Sequence, residues 1–231
     1  MAAPTTTVLE VRSLLKRFRG PSGASTTVVD VPAFSLAAGE QVAIRGASGS
    51  GKTTFLNLIA GISTPDAGVV EIAGHDLTAL RPSQRDRVRA RHVGYVFQTF
   101  NLLQGYTALE NVLAGMMFGR GTDEPFARDL LCRVGLADRL HHQPKALSVG
   151  QQQRVAVARA LAGRPDLVLA DEPTGNLDAR RASEAMAMIR TLCRAQDAAL
   201  LVVSHSPAIL RRFDTVLDFA QLNRAAREVA A

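Results

Sequence analysis

Nine consecutive residues restrict this chain more than any others. Gly46-Ala47-Ser48-Gly49-Ser50-Gly51-Lys52-Thr53-Thr54 follows the strand-like run Gln41–Arg45 and leads into the helix-like run Phe55–Ile62. The spacing is G-x-x-x-x-G-K-[ST], met in the strand–loop–helix setting that this motif requires. Glycines at 46, 49 and 51 let successive backbone N–H groups turn inward around phosphate oxygens with no Cβ in the way. The following helix directs its positive end at the same anion. Lys52 offers a point charge to the outer phosphates, Thr53 a hydroxyl to a magnesium ion, and Ser48, Ser50 and Thr54 line the same loop. Four fixed positions at this spacing arise by chance in about one chain of this length in a hundred. A glycine-rich turn without a ligand is the bland alternative, and the context disfavours it. We expect the chain to bind a nucleoside triphosphate.

The rest of the chain alternates strands with helices. VLEV, TTVVDVPAF and GEQVAIRG have strand character, separated by turn signals at Gly20-Pro21-Ser22-Gly23 and Ala38-Gly39. A further strand precedes Ile72, beyond the turn at Thr64–Gly68. Helical patterns are expected over Pro82–Val93, Ala108–Met117, Pro125–Leu140, Val155–Ala162 and Ala179–Ala195. LVLADE and AALLVVSH return to strand. This alternation predicts an α/β fold with a sheet covered on its faces. No internal repeat or low-complexity linker divides the chain, so one domain with a helical insertion is expected.

Two strand ends carry further chemistry. Leu167-Val168-Leu169-Ala170 ends in Asp171-Glu172. A strand adjacent to the phosphate-loop strand would bring Asp171 to the metal, and Glu172, one residue on, could polarise an attacking water. The alternative is an acid pair capping the next turn. Leu200–Ser204 similarly leads to His205, which without further context reads as a turn residue.

Composition sets limits on partners and compartment. The formal charge is +6, mostly arginine spread without a long run, which also fits an arginine-rich proteome. A nucleotide-driven protein that acts on nucleic acid, as the basic charge would suit, is the rival reading. The chain holds two tyrosines, no tryptophan and no basic run interleaved with aromatics, so we expect no nucleic-acid partner. No stretch reaches the roughly 18 apolar residues of a membrane span. The start MAAPTTTVLEV lacks the charged and apolar regions of a signal peptide, and a cytoplasmic location is expected. Cys132 and Cys193 are isolated and expected to be buried small hydrophobes.

Taken together these segments resemble the nucleotide-binding subunit of an ATP-binding cassette (ABC) transporter, over Val8 to Asp218. The resemblance implies a P-loop NTPase core sheet with an N-terminal antiparallel β-subdomain and an α-helical insertion, roughly residues 99–160 of a single domain spanning 1–231. It implies ATP and Mg2+ as ligands, with Thr53, Gln98 and Asp171 toward the metal, and Glu172, His205, Lys52 and Gln98 in catalysis. GYVFQTFNLL carries the glutamine loop at Gln98, and GNLD the D-loop with Asp178. LSVGQ looks like the signature loop, with Ser148, Gly150 and Gln151 toward nucleotide, although Val149 stands where the family usually has glycine. We expect Val149 in backbone of negative φ, where a β-branched residue is tolerated. Phe18 falls where the family stacks an aromatic on adenine; strand packing is its other reading.

DEPTGNLD, FQTFNLLQGYTALENV and the undecorated length are similar to the lipoprotein-releasing, macrolide-exporting and FtsE-type cell-division ATPases. That resemblance implies a separate transmembrane permease, a periplasmic adaptor reached through it, and a second copy of the chain in an ATP-sandwich homodimer. It places the protein peripherally on the inner face of the cell membrane. A cell-division ATPase that signals without transport is the alternative within the family. Phe100, Leu102, Leu103 and Tyr106 are candidate permease contacts, or else insertion core.

Overall fold

The structure is a computed structural model and describes residues 6–20, 23, 25–175 and 177–225. Two long strands, β1 (Thr7–Arg19) and β2 (Ser25–Ala37), open the chain and pair antiparallel. Pro21 and Ser22 of the expected turn lie outside the described residues; Gly23 N–H returns to the Gly20 carbonyl at 2.9 Å. Then come β3 (Gln41–Arg45), α1 (Lys52–Ile59), β4 (Ala67–Ile72), the short β5 (His75–Asp76), α2 (Pro82–His92) and β6 (Val93–Val96). Two helices follow, α3 (Ala108–Ala114) and α4 (Glu124–Arg133), and then α5 (Val149–Ala162). The chain closes with β7 (Leu167–Asp171), α6 (Ala179–Ala195), β8 (Ala199–Val203), α7 (Pro207–Leu210), β9 (Thr215–Asp218) and α8 (Phe219–Leu222).

The strands form two sheets. One is antiparallel in the order β2-β1-β4-β5; the other is parallel in the order β6-β7-β8-β3-β9. β7 and β8 are buried at every position, which is why they read as unbroken apolar runs instead of alternating ones. Their side chains still divide by the period of two. Val168, Ala170, Leu200 and Val202 face a core shared with α6 and the helices from α3 to α5. Leu167, Leu169, Leu201 and Val203 face the other core, shared with α1 and the antiparallel sheet through Phe55, Leu9, Val31 and Ile72. The parallel sheet is thus covered on both faces, and only its strand ends are open to a ligand.

Four expectations need correction. β7 is not the neighbour of the phosphate-loop strand, because β8 lies between them. The register nonetheless keeps the three ends level, with Ile44 beside Val203 and Val203 beside Asp171. The helix expected over Ala108–Met117 stops at Ala114, since Gly115 passes α5 so closely that a Cβ would lie 2.5 Å from the Arg159 carbonyl oxygen. The helix expected to reach Leu140 stops at Arg133, where Gly135 at φ 74° returns its N–H to Cys132 and ends the turn in left-handed backbone. Cys132, on the outer face of α4, is exposed, not buried. Cys193 is buried, and burial pushes its thiol up to about 12. Among the described residues no helix is long and apolar enough to cross a membrane.

Candidate active site

The loop between β3 and α1 is a cradle with a fixed floor and an open face. Gly49 and Gly51 take left-handed backbone at φ 76° and 96°. A Cβ at Gly51 would also lie 2.7 Å from the Val28 carbonyl oxygen on β2, so both conformation and space require glycine there. Lys52 is 7% exposed and folds its ammonium back into the loop. Its Nζ donates to the carbonyl oxygens of Gly46 at 2.9 Å and Ala47 at 2.6 Å, and to Ser50 Oγ at 3.3 Å. Burial holds the Lys52 ammonium below its ordinary range, partly opposed by the charges of Glu172 and Asp171. Ser48, Gly49 and Thr53 are exposed on the open side, with Gly46, Ser50, Gly51 and Thr54 half-buried.

Asp171 ends β7 inside the sheet edge. Its carboxyl takes a hydrogen bond from Thr53, and burial holds it above the usual carboxylate range. A buried carboxylate beside a threonine hydroxyl, at the mouth of a phosphate cradle, suits a hard cation that keeps most of its coordination for water and phosphate. Among the described residues no cluster of three or more acids, histidines or cysteines could hold a metal by protein groups alone.

Glu172 turns sharply off the strand at φ 43°, in backbone that costs a non-glycine residue free energy. Its N–H bonds the Val203 carbonyl at 3.0 Å, so the turn is stitched to β8. The side chain does not cap the turn that follows. Oε1 accepts from the His205 N–H at 3.0 Å and lies 2.6 Å from His205 Nδ1, while Oε2 accepts from Ser204 Oγ at 3.2 Å. The His205 ring is mostly exposed, and its far nitrogen is free to meet a ligand above the sheet edge. Gln98 arrives from β6, and its Nε2 would lie 3.7 Å from a Cβ at Gly175. Lys52, Thr53, Asp171, Glu172, His205 and Gln98 are therefore gathered at one end of the parallel sheet.

The signature segment sits elsewhere. Ser148 caps α5 by accepting from the Gln151 N–H at 3.3 Å, and the Gln151 side chain returns to the Ser148 N–H at 2.9 Å. Val149 is the first residue of α5, in helical backbone, and is 50% exposed. A Cβ at Gly150 would meet nothing within 4 Å. Ser148, Gly150 and Gln151 border a cavity of about 500 Å³ with Arg154, Leu177 and Arg181, and no phosphate-loop residue lines it. Asp178 caps α6 through the Arg181 N–H at 3.0 Å; Asn176 of the same loop lies outside the described residues. Phe18 stands 48% exposed on β1, with Lys16 Nζ 5.5 Å from its ring centre.

Four residues without a motif to announce them brace these loops. Asn223 is fully buried; its Oδ1 accepts from Asp30 N–H at 2.7 Å, and its Nδ2 donates to Val28 O at 2.9 Å and Ser50 O at 3.4 Å. Ser204 holds Glu172. Gln153, buried in α5, donates to the carbonyl of Pro173 directly after Glu172. Arg159, farther along α5, donates at 2.6 Å to the carbonyls of Phe100 and of Asn101, whose φ values are 45° and 50°. Only the Gln151-Gln152-Gln153 run was a visible signal, as polar residues inside an otherwise apolar helical pattern.

A groove of about 300 Å³ opens between α2, β6 and the end of α5, lined by Ile62, Arg89, Phe97, Asn101 and Arg159 among others. Of the four candidate contacts downstream of Gln98, Leu102 is buried and Phe100 packs against the core, so these two are insertion core. Leu103 and Tyr106 are exposed. Buried Asn111 fixes that segment, bonding the carbonyls of Leu103, Tyr106 and Thr107 and the N–H of Leu103.

The profile of the family described as "ABC transporter" matches residues 29–175. The lipoprotein-releasing system ATP-binding protein LolD of Pseudomonas fluorescens is 45% identical over 219 residues, which is 93% of this chain and 95% of that protein. LolD of Xanthomonas campestris pv. campestris is 44% identical over 200 residues, 85% of this chain and 83% of that protein. Among solved structures, a dimeric post-hydrolysis state of the ATP-binding cassette MJ0796 bound to ADP and Pi superposes with a TM-score of 0.83 at 32% identity, covering 94% of this chain and 95% of that one.

Proposed function

Because this chain belongs to the ABC transporter ATP-binding family, an ATPase family, we propose that it is the motor subunit of a lipoprotein-releasing system. It works on the cytoplasmic face of the membrane and drives a separate permease. The observation that carries this reading is the division of the site. The phosphate cradle and the Asp171–Glu172–His205 edge occupy one end of the sheet, whereas Ser148–Gln151 offers an uncovered helix N-terminus elsewhere. A phosphate group at such a terminus meets free N–H groups and the positive end of the helix. Two copies arranged head to tail close each site, with the cradle of one copy and the signature segment of the other enclosing one ATP.

Each residue then has a definite task. Backbone N–H groups of 46–54 wrap the phosphates, and Lys52 exchanges its loop carbonyls for phosphate oxygens. A desolvated ammonium gains most from such an anion, since both charges sit in low dielectric. Glu172 orients the attacking water and accepts its proton, held in place by Ser204 and His205. The outward nitrogen of His205 meets the γ-phosphate as its charge redistributes. Ser148 and the backbone at Gly150 of the second copy stabilise the same charge, so closure completes the catalyst. Thr53, Asp171 and Gln98 would hold Mg2+, which would neutralise charge on the phosphates. Asp178 and its loop lie at the boundary between copies, and Phe18 stacks on adenine. The groove lined by Ile62, Phe97 and Asn101, with Leu103 and Tyr106 beyond it, receives a permease segment.

Assay of ATP hydrolysis by the purified chain, wild type against Ser148→Ala mixed with Glu172→Gln, tests the division. Each variant alone loses most activity. In the mixture, heterodimers have one site lacking both Ser148 and Glu172 and one site intact, so part of the activity returns. Absence of any recovery in subunit mixtures that form dimers would contradict shared sites.

A further inference from the structure

Beside the groove lies a surface that neither the active site nor the permease contact uses. Met117 and Phe118 follow α3 and stand 60% and 78% exposed. The next residue fixes where this loop lies, since a Cβ at Gly119 would be 2.6 Å from the Ala90 carbonyl oxygen on α2. The loop backbone therefore rests against the last turn of α2. That helix buries none of its residues. Arg87 lies one turn before Ala90, and Arg91 one turn beyond Arg87, so both flank the contact, while Arg120 follows it directly. The three arginines are exposed, and among the described residues none has an ion-pair partner. The nearby acids are engaged elsewhere: Asp86 with Arg89 at 2.8 Å, Asp123 with Arg164 at 2.9 Å and Glu124 with Arg128 at 2.7 Å.

We propose that this patch rests on the anionic lipid surface of the membrane, with Phe118 and Met117 entering the headgroup region and Arg87, Arg91 and Arg120 binding lipid phosphates. An exposed aromatic and a flexible thioether between guanidinium groups match the chemistry of a bilayer interface: apolar tips take shelter below the phosphates, and the cations stay level with them. The two apolar side chains stand exposed on a backbone held against α2, an arrangement that suits a fluid surface. The patch holds the chain at the bilayer before the permease groove is filled, by a contact that needs no membrane-spanning helix.

Co-sedimentation of the purified full chain, without permease, tests this. Vesicles of phosphatidylcholine alone are compared with vesicles of equal parts phosphatidylcholine and phosphatidylglycerol. The chain is expected to bind the anionic vesicles and not the neutral ones, with binding that weakens as salt rises. The double variant Arg87→Glu/Arg91→Glu is expected to bind about tenfold more weakly or worse. Phe118→Ser is expected to lose the part of binding that survives added salt. All variants keep wild-type ATP hydrolysis, which shows that they are folded. Equal binding to both vesicle types, no binding to either, or variants that bind like wild type would overturn the proposal. Because the permease is absent, each of those results leaves the motor reading standing.

Discussion

Val149 occupies a position where the related signature pattern has glycine, yet its backbone is ordinary helix and its side chain is half exposed. Nothing in the conformation of the loop requires glycine there. We therefore expect Val149→Gly to change the rate of ATP hydrolysis by less than about tenfold, or about 1.4 kcal/mol of barrier. Gly150 gives the opposite expectation. Its surroundings within one chain are empty, so Gly150→Val should leave the melting temperature nearly unchanged. Hydrolysis should nonetheless fall at least about a hundredfold, because the added side chain obstructs the phosphate of the second copy. A variant that unfolds would show that the residue serves its own chain, and one that stays active would show that no phosphate approaches it. Asp171 supplies a third test. Burial raises its carboxyl above the usual range, so folding favours the protonated form. Its contribution to stability is complete below the unfolded pKa and is lost as pH rises through the folded one. In chelator at neutral pH, Asp171→Asn should raise the melting temperature, with the gain shrinking toward acid, while magnesium-dependent hydrolysis is lost.

At the scale of elements, α5 links three segments of the candidate site. Its first turn carries Ser148, its buried middle holds Pro173 through Gln153, and Arg159 near its end holds two residues of the loop after Gln98. Gln153→Leu removes the donor and leaves a buried carbonyl unpaired, a loss of about 1–3 kcal/mol in stability. We expect kcat to fall while KM for ATP changes little, because the phosphate cradle does not touch Gln153. Asn223→Leu should do the reverse, raising KM, since it releases Ser50 and the strand behind the loop. These braces explain what the sequence could and could not reveal. The phosphate loop was legible because it binds through backbone, and backbone demands glycine at fixed spacing. Asp171 and Glu172 stand out as acids ending an apolar strand, whereas His205 reads as a turn residue until the family resemblance gives it a role. The neighbours of β7 were not legible: strand order depends on crossovers between distant segments, and β8 enters the sheet between β3 and β7. Asn223 was equally hidden, because its partners Asp30, Val28 and Ser50 are distant in sequence and its own surroundings carry no pattern. Helix ends at Ala114 and Arg133 were misjudged where a glycine, not the apolar period, decides the stop.

For the whole molecule, the arrangement joins a buried parallel sheet to two open surfaces. Its level strand ends gather the candidate catalytic residues, and the signature segment lies apart from them. A single chain places Lys52, Asp171, Glu172 and His205 together, while Ser148 and Gly150 border a separate cavity, so in the proposed motor they serve the ATP of a second copy. On the proposed shared site, ATP would be both substrate and the adhesive of the dimer, and hydrolysis would remove what holds the copies together. The most direct measurement is the molecular mass of Glu172→Gln in solution, by light scattering, with no nucleotide, with ADP and with ATP. The chain is predicted to be monomeric or weakly dimeric without nucleotide or with ADP, and to become a stable dimer with ATP that hydrolyses it barely at all. A tight dimer indifferent to nucleotide, or hydrolysis at the wild-type rate, would contradict the shared site.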